Sequence, residues 1–192
     1  MWSTTLYEHP LPVLQWGTVL GVSLVAAFTD LRSRRIPNAL TGTALLGGLA
    51  VSAFLAGTPG ILDSLAATLL LAAPYVLLFV FAHGGAGDAK LMGALGSWLG
   101  VVNGVATLAC VCLCGVVLAV AFASSKGRLG AVLANLSGTA RGLLQPVFGI
   151  GSFRDAARLL PEAREGLQMP YGIAIFAGTA LAAGGSWLWQ RT

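Results

Sequence analysis

Two aspartates attract attention because each lies at the edge of a long apolar run. Asp30 lies in "FTDLRSRRIPNALTG", residues 28–42, and Asp88 lies in "HGGAGDAKLMGALG", residues 83–96. A carboxylate in or beside a membrane is costly and normally has a charged partner or a functional task. One interpretation is structural: each aspartate ends a helix and pairs with Arg32 or Lys90. The other is that the two carboxylates act together in catalysis.

The chemistry open to such a pair is acid–base catalysis on water. Two carboxylates near enough to share a proton do not both ionise easily, so one stays protonated near neutral pH. The charged carboxylate takes a proton from water, and the neutral one polarises the carbonyl group that is attacked. This reaction needs no metal, no cofactor and no covalent intermediate. If Asp30 and Asp88 lie close together, they could therefore act as the acid and the base of an aspartic hydrolase.

The surroundings of Asp88 favour a polypeptide substrate. Gly85 and Gly87, with a further glycine at 84, leave the backbone uncovered, so that a second chain can approach the carboxylate closely. Lys90 is either a group that meets an acid on the substrate or a side chain that extends to the headgroups. The motif Gly-x-Gly-Asp is a weak signal when it stands alone.

The composition indicates which elements must position these residues. The chain has 192 residues, of which 56% are hydrophobic and only 9% are charged, whereas about a quarter of the residues of a soluble domain carry charge. We therefore predict an all-α fold, a single membrane domain built as a bundle of about six transmembrane helices. The predicted spans are residues 13–29, 39–56, 62–82, 91–102, 105–123 and 171–189.

The boundaries between the spans come from turn signals. "GTPG" separates the second span from the third, and "NG" at residues 103–104 separates the fourth from the fifth. The fourth span is short, because 12 residues cover only about 18 Å of a hydrocarbon core about 30 Å thick. It must therefore borrow "GDAK" for a full crossing, or re-enter the membrane on the same side.

The basic residues predict the orientation. With the N-terminus outside, ten of the 11 lysines and arginines fall on one face, and only Arg191 falls on the other. Cytoplasmic loops are rich in Lys and Arg, so the aspartates are expected at the cytoplasmic face. The net charge of +4 is explained by this topology, and we expect no nucleic-acid partner.

Residues 124–169 are too long for a plain connection and are predicted to form a cytoplasmic loop. Apolar residues recur within it at three- and four-residue intervals from Leu129 to Leu144. The pattern predicts an amphipathic helix that either lies on the cytoplasmic leaflet or folds over the bundle.

No metal site is expected. Cys110, Cys112 and Cys114 follow one another at two-residue steps within a predicted helix, so their side chains cannot all face one point. His83 is interpreted mainly as a structural residue at the interface.

Taken together, the motifs carry a resemblance to a family. "DLRSRRIPN" at residues 30–38, "GAGDAKL" at residues 85–91 and the proline-opened "MPYGIAIFAG" near the end resemble the signatures of the type IV prepilin peptidases, integral-membrane aspartic proteases of the Gly-x-Gly-Asp class. The resemblance implies that Asp30 and Asp88 form the catalytic pair. It also implies cleavage of the basic leader from prepilins at the cytoplasmic face of the inner membrane.

The chain also departs from many members of that family. They carry an N-terminal cytosolic insertion with paired Cys-x-x-Cys motifs and also methylate the new pilin terminus, whereas no cysteine precedes Cys110 here. The chain therefore resembles the short, peptidase-only branch associated with tight-adherence (Flp-type) pili, and we expect no methyl transfer.

Two other classes of function remain open. A non-enzymatic assembly component or a small ion-coupled transporter could use the aspartates to bind protons or ions, although transporters more often show repeats and polar residues near the midplane. A presenilin-like intramembrane protease would share the aspartate pair. The oligomeric state is not indicated by the sequence.

Overall fold

Four helices build the part of the chain that the structure, a computed structural model, describes: residues 11–82, 85–125, 127, 130 and 171–189. In chain order they are α1 (Leu11–Ser33), α2 (Asn38–Ala82), α3 (Ala86–Ser125) and α4 (Gly172–Trp189). All four are long and apolar enough to cross a membrane. The all-α prediction is thus confirmed for the described residues. The predicted amphipathic helix and most of the 124–169 loop lie outside them.

A tight turn separates α1 from α2 and fixes Asp30 at the end of α1. Arg34 adopts a left-handed conformation with φ of 51°, and its N–H donates to the carbonyl oxygen of Asp30 at 2.8 Å. A left-handed residue at this position ends a helix. Pro37 then excludes a helical conformation for the residue before it, and its carbonyl accepts the first N–H groups of α2, from Leu40 and Thr41.

Helix α2 folds back on itself at Gly57. This glycine has φ of 61° and ψ of −143°, a conformation that is nearly restricted to glycine. Ser52 and Ser64 would lie about 18 Å apart along a straight helix, but their hydroxyl oxygens are 3.1 Å apart. The chain therefore reverses at Gly57 alone, and the other residues of the predicted "GTPG" turn are helical.

Helix α3 also folds back, at Gly100, where φ is 66° and ψ is 179°. A Cβ on Gly93 would lie 3.4 Å from the Cβ of Ala72, and one on Gly104 would lie 2.8 Å from Leu71, so both arms of α3 meet the same part of α2. The predicted break at "NG" is wrong: Asn103 and Gly104 are helical, and the chain reverses at the glycine before them. "GDAK" belongs to the same helix as the short fourth segment, since α3 begins at Ala86.

The centre of the bundle is the first arm of α3. Nearly all residues from Ala89 to Leu99 are buried, and the core cluster around them includes Val19 of α1, Leu71 of α2 and Ile175 of α4. Small residues allow this burial: a Cβ on Gly96 would come within 2.6 Å of the carbonyl oxygen of Ala67. Gly93 and Gly96 thus allow α3 to pack closely against α2. Large apolar side chains such as Phe54 and Val13 are exposed on the outside, as expected for a surface in lipid.

Candidate active site

Asp30, in the last turn of α1, is held by the first residue of α4. The N–H of Gly172 donates to Asp30 Oδ2 at 2.9 Å. A Cβ on Gly172 would lie 3.1 Å from both the Cβ and Oδ2 of Asp30, and 3.1 Å from the Cα of Ala27. Only a glycine therefore lets α4 approach this closely. Helix N-termini are favourable positions for a negative charge, so α4 both orients and stabilises the carboxylate.

Asp88 lies in the first turn of α3, beside the glycines that the sequence singled out. Its N–H donates to the carbonyl oxygen of Gly85 at 3.2 Å, and a Cβ on Gly85 would lie 2.8 Å from Asp88 Oδ2. Gly87 instead faces the α1–α2 turn, where a Cβ would lie 3.4 Å from Ile36. Gly85 thus leaves one side of the carboxylate uncovered, and Gly87 allows α3 to pack against the turn that follows Asp30.

The structure brings Asp30 and Asp88 into one site. Both are half-buried, and the charge of Asp30 acts directly on Asp88. The predicted structural alternative is not found: within the described ranges, neither aspartate forms an ion pair with Arg32 or Lys90. Two carboxylates from different helices share a region of low polarity, so protonating one of them relieves their repulsion. This is the electrostatic arrangement required for acid–base catalysis on water.

Lys90 points away from the aspartates. Its Nζ donates to the side-chain oxygen of Asn38 at 3.0 Å, across from the first turn of α2. Lys90 is exposed, and the partner is a neutral amide. The structure therefore leaves its positive charge available at the edge of the site.

A groove of about 390 Å³ runs from Lys90 between the two arms of α2 and along α3. Its volume is in the range of small ligand sites. The side chains along it are mostly small or apolar, with two threonines. The lining residues are Asn38, Thr41, Gly42, Leu45, Thr68, Ala72, Val76, Ala89, Lys90, Gly93 and Ala94.

Sequence reasoning missed two parts of this site. Gly172 was not singled out, although "MPYG" was noted as the start of the last helix. Tyr75 was also missed; its ring meets that of Tyr171 edge to face, with centroids 5.9 Å apart and an interplanar angle of 63°. The sequence signal that could have indicated this contact was Tyr171, which directly follows the proline in "MPYG".

A second polar cluster lies where α2 and α3 fold back, and we call it the hairpin-end cluster: Gln15, Ser52, Asp63, Ser64, Ser97 and Trp98. Asp63 Oδ1 accepts the N–H of Val101 at 3.3 Å, at the start of the second arm of α3. The hydroxyl of Ser64 donates to the carbonyl of Ser97. A cavity of about 70 Å³ lies among these residues. Sequence reasoning did not identify this cluster.

The described residues offer no metal centre. No three His, Cys, Asp or Glu side chains among them come close enough to bind an ion, and Cys110, Cys112 and Cys114 are free thiols. The expectation that the protein needs no metal remains a prediction.

The comparisons with known proteins agree with the motif analysis. The sequence profile described as "Type IV leader peptidase family" matches residues 18–120, which is more than half of the chain and includes both aspartates. Neither the curated proteins nor the solved structures that were compared with the chain gave a match.

Proposed function

Because this chain belongs to the type IV leader peptidase family and is an aspartic prepilin peptidase, we propose that Asp30 and Asp88 are its catalytic pair. The observation that carries this proposal is their convergence in one site from the end of α1 and the start of α3. The reaction is cleavage of the basic leader peptide from a prepilin. The substrate that we propose is a prepilin of the Flp type, and the site lies at the cytoplasmic face of the inner membrane.

The geometry suggests a role for each carboxylate. Asp30 already accepts the Gly172 N–H, so we assign it as the base that takes a proton from water while the water oxygen bonds to the scissile carbonyl carbon. Asp88 gives its proton to the carbonyl oxygen. The carbon–nitrogen bond then breaks as Asp30 returns its proton to the leaving amine and the hydroxyl of the intermediate returns a proton to Asp88. One water is consumed, and both aspartates regain their starting states.

The groove beside Lys90 suits the apolar segment of a substrate that follows the cleaved bond. The uncovered backbone at Gly85 lets the substrate chain approach Asp88, and Gly87 holds that loop against the α1–α2 turn. Lys90 donates to the neutral amide of Asn38, and its charge is proposed to meet an acidic group of the substrate near the mouth of the groove.

The folded-back helices support six membrane crossings. Helix α2 has 45 residues and α3 has 40, lengths of about 68 and 60 Å if straight, which is twice the hydrocarbon thickness. We propose that each crosses twice, with the N-terminus and Gly57 outside and the aspartates at the cytoplasmic face. Single cysteines at Ser33 and Thr58, in a chain whose three native cysteines are replaced, test this with an impermeant maleimide on intact cells. We expect labelling at Thr58 only, and labelling at Ser33 alone would reverse the orientation.

Cleavage itself is tested by co-expressing the chain with a candidate Flp-type prepilin and following the shortened product on a gel. We expect the product with the unchanged chain and none with Asp30→Asn or Asp88→Asn, at equal membrane levels of the enzyme. The matched control is Asp63→Asn, which changes a third aspartate of the same protein, in the hairpin-end cluster. Substantial cleavage by well-folded Asp30→Asn or Asp88→Asn protein would exclude the proposed catalytic pair.

Absence of methylation is tested on the same product. In cells where this chain is the only prepilin-processing enzyme, mass spectrometry of the mature pilin should give an unmodified N-terminal residue. An N-terminal residue heavier by one methyl group would contradict the proposal.

A further inference from the structure

Tyr171, the residue just before α4, is wedged between two helices. On one side its ring lies edge to face with Tyr75 of α2. On the other side it lies against Gly115 of α3, where an added Cβ would collide with the tyrosine hydroxyl and approach the ring carbon Cζ to 3.0 Å. We call this arrangement, Tyr75, Gly115 and the ring between them, the tyrosine seat.

Both walls of the seat are held in place by packing. Tyr75 is 5% exposed and belongs to the buried core cluster. Its ring supplies the contact with Tyr171. Gly115 lies inside the second arm of α3, which a further glycine contact ties to α4, because Gly178 has no room for a Cβ against the backbone of Val111. Both walls are therefore parts of packed helices.

The next residue along the chain is the one that holds Asp30. Gly172 directly follows Tyr171, and its N–H donates to Asp30 Oδ2 at 2.9 Å. Gly172 is closely packed against α1, since an added Cβ would lie 3.1 Å from both Ala27 and Asp30. A shift of the Tyr171 ring therefore moves the amide relative to the carboxylate.

We propose that Tyr171 is a positioning residue for the reaction: the tyrosine seat fixes the Gly172 amide and, through it, the orientation of the Asp30 carboxylate. The inference rests on the proposed function, in which Asp30 is the catalytic base. It assigns a role in catalysis to Gly115, which lies on a different helix from Asp30 and contacts neither aspartate in the described structure.

The principal test is Gly115→Ala in the full-length protein, purified in detergent and assayed with the purified prepilin that it cleaves. The added methyl group displaces the ring, and a misplacement of about 1 Å at a reacting group can cost about a hundredfold in rate. We expect kcat to fall about ten- to a hundredfold while KM and the fraction of folded protein stay nearly unchanged. The matched control is Gly21→Ala in α1, where an added Cβ has nothing within 4 Å, and its kcat should match that of the unchanged enzyme.

A second variant makes the test specific to the seat. Tyr171→Phe removes the hydroxyl that the new methyl group would strike but keeps the ring between its walls, so alone it should retain nearly full kcat. In the double variant with Gly115→Ala, kcat should recover to within about threefold of Tyr171→Phe, because contacting residues give strongly non-additive effects. General loss of packing would instead give additive losses and a parallel fall in folded protein.

Three results would overturn the inference. They are an unchanged kcat in Gly115→Ala, a double variant no better than Gly115→Ala alone, and a large loss in Tyr171→Phe alone, which would make the hydroxyl itself the active group. If Gly115→Ala does not fold, Tyr171→Leu replaces it, and an unchanged kcat per folded enzyme would overturn the inference in the same way. Asp30→Asn, measured in parallel, separates the two proposals: if it retains activity, the proposed function fails, whereas its inactivity together with an insensitive seat removes only this inference.

Discussion

The two ends of the bundle use the same local device for different purposes. At the aspartate end, Asp30 accepts the N–H of Gly172 at the start of α4. At the hairpin end, Asp63 accepts the N–H of Val101 at the start of the second arm of α3. In both places a carboxylate from one helix caps the start of another and joins segments that are distant in sequence.

The ends differ in what surrounds the carboxylate. Asp63 is exposed, accepts the N–H of Val101 and lies against Gly100 at the fold-back. Asp30 has a second carboxylate, Asp88, within electrostatic reach. A capping carboxylate alone gives architecture, whereas a pair that cannot both ionise easily gives an acid and a base. The comparison therefore predicts that changes at the aspartate end act on kcat and that changes at the hairpin end act on stability.

The largest effect is expected from the pair itself. Asp30→Asn and Asp88→Asn should each lower kcat on the order of a thousandfold or more, and the double variant should be little worse than either, because residues that act as one unit give non-additive losses. Rates of prepilin cleavage by purified enzyme measure this. Multiplied losses in the double variant would show that the aspartates act separately.

The hairpin end should respond in stability. Gly100→Ala places a side chain at φ of 66°, in a region that costs about 1–3 kcal/mol for other residues, and its Cβ would collide with Asp63. Gly57→Ala is the control, since it carries a similar φ of 61° with no atom in the way. We expect a larger fall in thermal stability in detergent for Gly100→Ala. Equal falls would mean that the contact with Asp63 does not matter.

Lys90 is expected to act on substrate binding alone. Lys90→Met keeps the length of the side chain but removes the charge that we propose for contact with the substrate, so KM should rise about tenfold, equivalent to about 1.4 kcal/mol. The kcat should stay within a factor of about two to three, as for a loss of uniform binding. A fall in kcat with unchanged KM would place Lys90 in the chemistry instead.

The smallest effect is expected at Asp63. Asp63→Ala removes the acceptor for Val101 and should destabilise the protein by about 1 kcal/mol, the usual cost of losing a helix cap. Chemical unfolding in detergent measures the loss, and kcat per folded enzyme should not change. Lost activity in folded protein would break the distinction between the two ends.

Sequence patterns located the residues of the candidate site better than they located the turns. Asp30, Asp88 and the uncovered Gly85 were identified from residue type and local context. A carboxylate beside lipid is costly whatever the fold around it, so it indicates a functional site. The break in α3 was misplaced because Asn-Gly favours turns in water. Here Asn103 is helical and its carbonyl accepts the hydroxyl of Thr107, while the reversal falls at Gly100, next to Asp63.

The remaining parts of the site depend on contacts between distant segments. The Gly172 amide meets Asp30 only because α4 packs against α1, and the tyrosine seat requires α2, α3 and α4 together. The chain has 26 glycines, and no local sequence pattern shows which of them meets which helix.

The hydrogen bond from the Gly172 N–H to the Asp30 carboxylate also has a consequence for biosynthesis. During translation α1 leaves the ribosome before α4, so Asp30 acquires its amide donor only after α4 has been made. A chain released before that point carries both aspartates and the Gly85 loop but lacks the group that orients one of them. If Asp30 is the catalytic base, as we propose, the order of synthesis therefore delays full proteolytic competence until α4 has joined the bundle.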